Sequence, residues 1–190
     1  MGMEEGGAAL RDLSLHILDL IENAIRAGAT VIVVSVSVKQ ELDLLEITVD
    51  DNGPGLTVPE GIAIDPFYTT KTGKHTGLGL SLFQSAVEKA RGTLRLCKSN
   101  LGGLCVKASM QLSHIDRSPL GDLAATLSSV VCTNTAIDLR CHLSVGDKLY
   151  TVSVSDLIDS HHIDEYGGLT VARRMHQRIK EALAELAVQE

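Results

Sequence analysis

The chain has 190 residues, of which 44% are hydrophobic, and this is enough for one globular domain or one domain with a small satellite. Its formal net charge of −7 argues against nucleic-acid binding, because affinity for the phosphate backbone rests on clustered Lys and Arg. The longest apolar run, Ala29 to Val38, is too short to cross a bilayer as a helix. The N-terminus, Met1 to Leu10, lacks the basic start and apolar middle of a secretory signal. We therefore expect a cytoplasmic protein that binds neither membrane nor nucleic acid.

The first elements predicted are a helix and two strands. Apolar residues recur at helical spacing from Leu10 to Ala24, and Gly28 is suited to the left-handed conformation that ends a helix. The β-branched runs Thr30 to Val38 and Leu44 to Val49 predict a hairpin. The glycine-bearing stretch from Thr57 to Thr76 is typical of a short, mobile cover over a site.

The remaining elements alternate between helix and strand. A second helix is predicted up to Ala90, before Gly92, and it is followed by strands over Thr93 to Lys98 and Leu104 to Leu112. After Pro119 we expect a short helix to Val131, two strands around the turn at Gly146, and a last amphipathic helix from Thr170 to Val188.

The cysteines and two adjacent histidines raise the question of a metal site. No CxxC pair exists among Cys97, Cys105, Cys132 and Cys141, so a zinc site or a thioredoxin-like site is not predicted. We expect free, mostly buried thiols. His161 and His162 form an isolated pair in a polar loop, which is more often solvated surface than a metal site.

Three constellations have the chemistry of a nucleotide site, although each has an ordinary explanation when taken alone. Polar residues of the first helix form a stripe: Asp12, His16, Asp19, Asn23 and Arg26. This stripe is either a solvated face or a place where Asp19 and Asn23, one turn apart, handle Mg²⁺ and a nucleophile.

The second constellation ends the strand that carries Ile47 and Val49, whose face Asp51 shares. A buried carboxylate needs a donor, such as the exocyclic amine of adenine, and glycines after it allow a flat ligand to approach. An ordinary Asx or glycine turn is the alternative. In the third constellation, glycines between Thr76 and Ser81 stand at the entrance of the second helix, where backbone N–H groups suit a polyphosphate.

In this order and with these gaps, the segments resemble the motifs of the GHKL superfamily, which joins histidine kinases, the gyrase B subunit, MutL proteins and certain chaperones. Asp19 to Ala24 resembles the asparagine box, Asp51 to Gly55 the first glycine box, and Thr76 to Ser81 the second. Asp65 to Lys71 is similar to the phenylalanine box of nitrogen-regulator-type kinases. The resemblance implies an α+β fold of the Bergerat type: a two-layer α/β sandwich with a mixed, largely antiparallel sheet and its helices on one face.

The resemblance also implies roles for individual residues, with ATP and Mg²⁺ as cofactors. It makes Asn23 the Mg²⁺ ligand, Asp51 the adenine reader and Asp19 the catalytic residue. It assigns nucleotide binding to Asn23, Asp51, Gly53, Gly55, Lys71, Thr76, Gly77, Leu78, Gly79 and Leu80. Asp19 stands where gyrase and MutL proteins carry a Glu, so its side chain is shorter by about 1.5 Å and hydrolysis is expected to be slow. Histidine kinases often have Asn at this position and transfer phosphate, so the resemblance leaves the choice between hydrolysis and transfer open at Asp19. His75 stands where the second glycine box commonly starts with Gly.

About ten residues precede the first predicted helix, whereas a complete histidine kinase has a helical phosphoacceptor domain there. We therefore expect a free-standing histidine-kinase-like ATPase domain over residues 10–113, followed at 119–190 by an α/β appendage for docking or dimerisation. Two functions stay open. One is Mg²⁺-dependent phosphoryl transfer to a separate protein in signal transduction, or slow hydrolysis, and the other is an ATP-gated protein-binding switch with little or no turnover. The expected partners are ATP or ADP, a protein, and a second copy of the chain.

Overall fold

A computed structural model of the chain describes residues 12–56, 78–158 and 167–186. Its helices are α1 (Leu13–Arg26), α2 (Leu78–Lys89), α3 (Leu123–Thr133), α4 (Val154–Leu157) and α5 (Gly168–Glu185). Its strands are β1 (Val31–Lys39), β2 (Leu44–Asp51), β3 (Thr93–Lys98), β4 (Leu104–Gln111), β5 (Asp138–Val145) and β6 (Lys148–Ser153). The helices and strands predicted from the pattern are confirmed, with ends shifted by less than one helical turn, whereas the short helix α4 was not predicted.

One mixed sheet forms the frame, with strand order β3-β4-β2-β1-β5-β6. Four of its five pairings are antiparallel, and β5 runs parallel to β1. The β1–β2 connection contains a 3₁₀ turn at Gln40–Leu42 and then Asp43 in the left-handed conformation. The predicted α+β class and its largely antiparallel sheet are therefore confirmed.

Over the part of the chain that the structure describes, one face of the sheet is largely buried and the other is mostly half-buried or exposed, as the alternation of side chains along its strands predicts. The buried face contributes to a single hydrophobic core with the helices, including Ile32, Val34, Ile47, Val49, Ala108, Leu139 and Leu143. The opposite, open face presents polar side chains such as Ser35, Thr48, Lys107 and His142, which alternate with the buried ones. The helices consequently form a layer on one side, as predicted.

The segment after residue 118 is part of the same sheet and core. β5 pairs with β1 over eight residues, from Val31↔Asp138 to Val38↔Val145. Leu123, Leu127 and Leu139 are fully buried in the shared core. No helix among the described residues is both long enough and apolar enough to span a bilayer.

The cysteines differ in part from the prediction. All four thiols are free as predicted, but only Cys105 and Cys141 are buried, whereas Cys97 and Cys132 are exposed. The exposed pair lies on the open face of an edge strand and on α3. The prediction of mostly buried thiols is therefore wrong for these two, because composition does not show which face of an element is covered.

Candidate functional site

Asp51 ends β2 on the buried face of the sheet, as the alternation of Ile47 and Val49 predicted, and it is 7% exposed. Its Oδ1 accepts hydrogen bonds from the backbone N–H of Gly53 at 2.8 Å and of Leu104 at 3.2 Å. These bonds offset part of the cost of burying the carboxylate. Among the residues that the structure describes, both recorded donors to this carboxylate bind Oδ1.

Glycines surround this carboxylate because there is no room for a Cβ atom. A Cβ on Gly103 would overlap Asp51 Oδ1, and one on Gly53 would lie 3.0 Å from the same atom. Gly55 has φ +73° and packs against Gly103, so it adopts a backbone conformation that favours glycine. Gly53 and Gly103 therefore lie against Asp51, and Gly55 lies against Gly103. Gly103 was not among the predicted site residues, because its loop was interpreted only as a hairpin turn.

Asn52 connects the loop after Asp51 to the start of β1. Its Oδ1 accepts from the backbone N–H of Thr30 at 2.8 Å and of Val31 at 2.9 Å, and its Nδ2 donates to Thr30 Oγ1. Its own N–H donates to Val31 O. Sequence analysis assigned Asn52 no role, although an Asn between Asp and Gly is a frequent organiser of turns.

The helices α1 and α2 meet at Asp19 and Gly79. A Cβ on Gly79 would lie 3.2 Å from both Cβ and Oδ2 of Asp19, so the glycine allows the half-buried carboxylate to lie against the first turn of α2. Leu80, one residue further along, packs against the hydrophobic core. The segments predicted as asparagine box and second glycine box are therefore in contact.

The other end of α1 abuts the first glycine box. Gly53 lies beside Ala29, three residues after the end of the helix. A Cβ atom added to Gly53 would lie 3.6 Å from the Cβ of Ala29. Asn23 is in the last turn of α1, where its carbonyl accepts from the N–H of Ala27 at 3.0 Å. The helix α1 therefore carries Asp19 and Asn23 and contacts Gly79, while Ala29, three residues after its end, lies beside Gly53.

Residues 9–114 match the family described as histidine kinase-, DNA gyrase B- and HSP90-like ATPases. This match covers more than half of the chain. The chain belongs to this ATPase family. Membership implies that the chain binds ATP, and the three segments that carried the resemblance are those that meet around α1.

Several sensor kinases are similar to this ATPase over part of their length. CpxA of Escherichia coli (strain K12), a sensor histidine kinase, is 37% identical over 92 residues, which are 45% of this chain and 20% of CpxA. The sensor histidine kinase ZraS of the same strain is 30% identical over 110 residues, or 57% of this chain and 23% of ZraS. The ATPase thus spans less than a quarter of the length of these curated relatives.

Among solved structures, the catalytic domain of the histidine kinase ThkA is similar with a TM-score of 0.43 and 23% identity. The similarity covers 54% of this ATPase and 68% of that chain. The N-terminal domain of a DNA repair protein has a TM-score of 0.44 and 15% identity, and covers 75% of the ATPase and 51% of that chain.

The amide of Asn23 is exposed and is engaged by a neighbour in the ATPase. Arg26 Nη2 donates to Asn23 Oδ1 at 2.5 Å, and Arg26 Nη1 also donates to Glu22 at 3.4 Å. Oxygen ligands such as this amide and the Asp19 carboxylate are of the type that Mg²⁺ prefers. No group of three or more His, Cys, Asp or Glu that would hold a metal occurs in the described ranges.

The polar stripe of α1 is not a uniformly solvated face. His16 is 3% exposed and stacks on Phe83 of α2, with ring centroids 5.1 Å apart and an interplanar angle of 20°. Asp12 precedes the helix and caps it by accepting from the N–H of Leu15. The solvated-face alternative is therefore wrong for His16, because α2 covers this part of the stripe.

The remaining predicted site residues lie outside the described residues. They are Lys71, Thr76 and Gly77, together with His75, the cover at 57–76 and the phenylalanine-box segment at 65–71. Leu78 begins α2, but its side chain is not described. The histidine pair at 161 and 162 also lies outside the described ranges.

Proposed function

We propose that the protein binds ATP together with Mg²⁺ and transfers the terminal phosphoryl group to a separate protein in the cytoplasm. The observation that carries this proposal is the contact between Asp19 on α1 and Gly79 on α2. It places a carboxylate beside the first turn of a helix, where N–H groups and the helix dipole favour phosphate oxygens. Catalysis of phosphoryl transfer depends mainly on such positioning and on electrostatic stabilisation.

Asp51 is the residue that reads the base in this proposal. Its Oδ1 is held by two backbone N–H groups, so Oδ2 is oriented to accept from the exocyclic amine of adenine. Gly53 and Gly103 leave room for this carboxylate, because a Cβ atom on either would crowd its Oδ1. A purine with a carbonyl at this position presents no donor and is disfavoured.

At the other end of the nucleotide, Asn23 would supply an oxygen to Mg²⁺, with phosphate oxygens and water as further ligands. Since Arg26 donates to this oxygen, metal binding replaces that hydrogen bond. Lys71, Thr76 and Gly77, from the second glycine segment and the stretch before it, are proposed to contact the phosphates. The bond broken is the one between the γ-phosphorus and its bridging oxygen. ADP leaves and the phosphoryl group passes to a side chain of the acceptor.

Transfer is preferred over hydrolysis for two reasons. The relatives of similar sequence are sensor kinases. In addition, Asp19 is shorter by about 1.5 Å than the Glu that activates water in related hydrolases. The same short carboxylate favours a second candidate, an ATP-gated switch that binds a protein partner, or a second copy of the chain, with little turnover.

Calorimetric titration of ATP and ADP, with and without Mg²⁺, tests the binding step. In an Asp51→Asn variant, Oδ1 is still present to accept from Gly53 and Leu104, whereas an NH₂ group replaces Oδ2 and opposes the adenine amine. We expect ATP binding to weaken about tenfold to hundredfold, since an opposed polar group costs about 1–3 kcal/mol. The matched control is Asp50→Asn, which alters the preceding carboxyl on the open face. Equal affinity in the two variants would refute the role of Asp51.

A transfer assay with γ-labelled ATP then separates the two candidates. The kinase predicts that label moves to a protein co-purified with the chain, and that Asp19→Ala retains ATP binding but loses transfer. The switch predicts partner capture that depends on ATP and no labelled protein.

A further inference from the structure

Cys97 and Cys105 stand directly opposite each other on the paired strands β3 and β4. Directly opposed residues in an antiparallel pair have Cα atoms about 4.5–5.5 Å apart, a range that lies within the roughly 4.4–6.8 Å spanned by disulfides. Cys97 Sγ lies 3.6 Å from the carbonyl oxygen of Cys105. The two thiols therefore share one site on the open face of the sheet.

The two thiols differ in reactivity. Cys97 is exposed on an edge strand, whereas Cys105 is 9% exposed. Burial raises the pKa of the Cys105 thiol well above its ordinary value, and the Cys97 thiol and the Asp50 carboxylate raise this pKa further. Since the thiolate is the nucleophile, Cys97 is the thiol that reacts first with a reagent from solution.

This pair encloses the loop that holds Asp51. Ser99 N–H donates to Gly103 O at 2.9 Å, and Gly103 N–H donates to Asp51 O at 3.1 Å. Leu104, the residue next to Cys105, donates its N–H to Asp51 Oδ1 at 3.2 Å. A change in the backbone at Cys105 is therefore passed directly to the carboxylate.

We propose that Cys97 and Cys105 form a reversible disulfide by exchange with a small-molecule disulfide such as oxidised glutathione, and that this bond weakens nucleotide binding at Asp51. The second part rests on the proposed function. The first part rests only on the placement of the two cysteines.

The exchange proceeds in two steps and balances without a further oxidant. The Cys97 thiolate attacks one sulfur of oxidised glutathione, which forms a mixed disulfide and releases one glutathione thiolate. Cys105 then gives its proton to solvent and attacks Cys97 Sγ, and the second glutathione leaves. Two protein thiols are oxidised to one disulfide, and one glutathione disulfide is reduced to two thiols.

Closure of the disulfide has a structural consequence at the site. The two sulfurs must approach to about 2.0 Å with a dihedral angle near ±85–100°, which changes the side-chain torsions of both cysteines and the local twist of the backbone at this register position. Leu104 N–H then moves relative to Asp51 Oδ1, and the carboxylate loses one of the two donors that orient it.

The test uses the full chain with Cys132→Ser, which removes the other exposed thiol. Cys141 stays unreactive because it is fully buried and burial raises its pKa to about 12. The protein is equilibrated with a series of glutathione redox ratios, quenched in acid, alkylated and analysed by intact mass and peptide mapping. We expect a species lighter by two hydrogens in which Cys97 and Cys105 are both protected from alkylation.

Two variants in the same background identify the order of events. Cys105→Ser should stop at a glutathione adduct on Cys97, and Cys97→Ser should remain unmodified. The disulfide is refuted if both thiols stay open to alkylation at every ratio, or if the parent protein stops at the glutathione adduct.

The link to the nucleotide is measured by repeating the titration with saturating Mg²⁺–ATP. The midpoint is the glutathione redox ratio at which half of the protein carries the disulfide. Thermodynamic linkage requires ATP to shift this midpoint by the same factor by which the disulfide lowers the affinity for ATP. We expect this factor to be about fivefold or more. A disulfide whose midpoint does not respond to ATP refutes the link and leaves the modification site intact. If the reduced protein binds no ATP, the proposed function and the link both fail, and the mass result alone decides the disulfide.

Discussion

Two carboxylates organise the loops at opposite ends of β2. Asp51 ends the strand and accepts from the N–H of Gly53 and Leu104. Asp43 precedes the strand and accepts from the N–H and hydroxyl of Ser113 at 2.8 and 2.7 Å, and from Gln111 Nε2 at 2.8 Å. Each therefore connects β2 to residues next to β4 in the sheet.

The hydrogen bonds at Asp43 predict how stability depends on pH. They lower the pKa of Asp43 below its ordinary value of 3.8, with the Ser113 hydroxyl as the largest cause. The ionised form is thus favoured in the folded state, so its contribution is fully present above the ordinary pKa and is lost as the pH falls through the lowered one.

An Asp43→Asn variant should melt at a lower temperature than the wild type at neutral pH, and the difference should shrink below about pH 4. Melting curves followed by circular dichroism between neutral pH and about pH 2.5 measure this trend. Glu41→Gln, which removes an exposed carboxylate from the same turn, is the control and should show no such trend. A melting difference that stays constant down to the lowest pH would contradict the assignment.

At the scale of elements, α1 is held at both ends. The N–H groups of Leu13 and Ser14 donate to the carbonyls of Pro119 and Leu120 at 2.9 Å, which satisfies donors that a helix start leaves free. At the other end, Gly28 has φ +93° and ends the helix as predicted. The helix that carries Asp19 and Asn23 is thus fixed in place by its neighbours in the fold.

The contact between α1 and α2 predicts that Gly79→Ala changes nucleotide affinity without changing stability. Ala favours a helix over Gly by up to about 1 kcal/mol, but its Cβ would press on Asp19 at 3.2 Å. We expect the melting temperature to stay nearly unchanged. The affinity for Mg²⁺–ATP should fall by about threefold to tenfold. Calorimetry and thermal melting measure the two quantities.

Leu82→Ala on the exposed side of α2 is the control and should leave both quantities close to the wild type. If Gly79→Ala binds Mg²⁺–ATP as the wild type does, the contact between Asp19 and Gly79 is not part of the nucleotide site.

At the scale of the molecule, residues 119–186 complete the sheet and the core. β5 covers the edge of β1, and Leu120, Leu123 and Leu139 are buried with residues of α1 in one core. Loss of this segment would expose apolar surface and an unpaired strand edge.

A chain truncated after Ser118 should therefore lose cooperative unfolding, since the removed contacts are comparable with the total stability of about 5–15 kcal/mol for a typical domain. Thermal melting and size-exclusion chromatography measure this, with a chain ending at Leu186 as the control. If residues 1–118 unfold cooperatively and bind ATP, the segment from 119 is an appendage on a domain that folds by itself.

The sequence by itself determined the order of the longer helices and strands, and the family. This was possible because helix and strand periods are local, and because the glycines at 53, 55 and 79 are required where backbone or a carboxylate approaches closely. His16 was not determined in this way, since its burial depends on Phe83 of a helix about 67 residues away, beyond the reach of any local period.

Only the tertiary structure decided which distant residues meet. Strand order and register bring Cys97 opposite Cys105, place Gly103 against Asp51 and pair β5 with β1. Such pairings depend on the packing of one buried sheet face against the helices, and a shift of one residue in register would exchange every inward and outward side chain. The physical reason is that periodicity specifies which face of an element is apolar, whereas the partner of that face is chosen by the folded core as a whole.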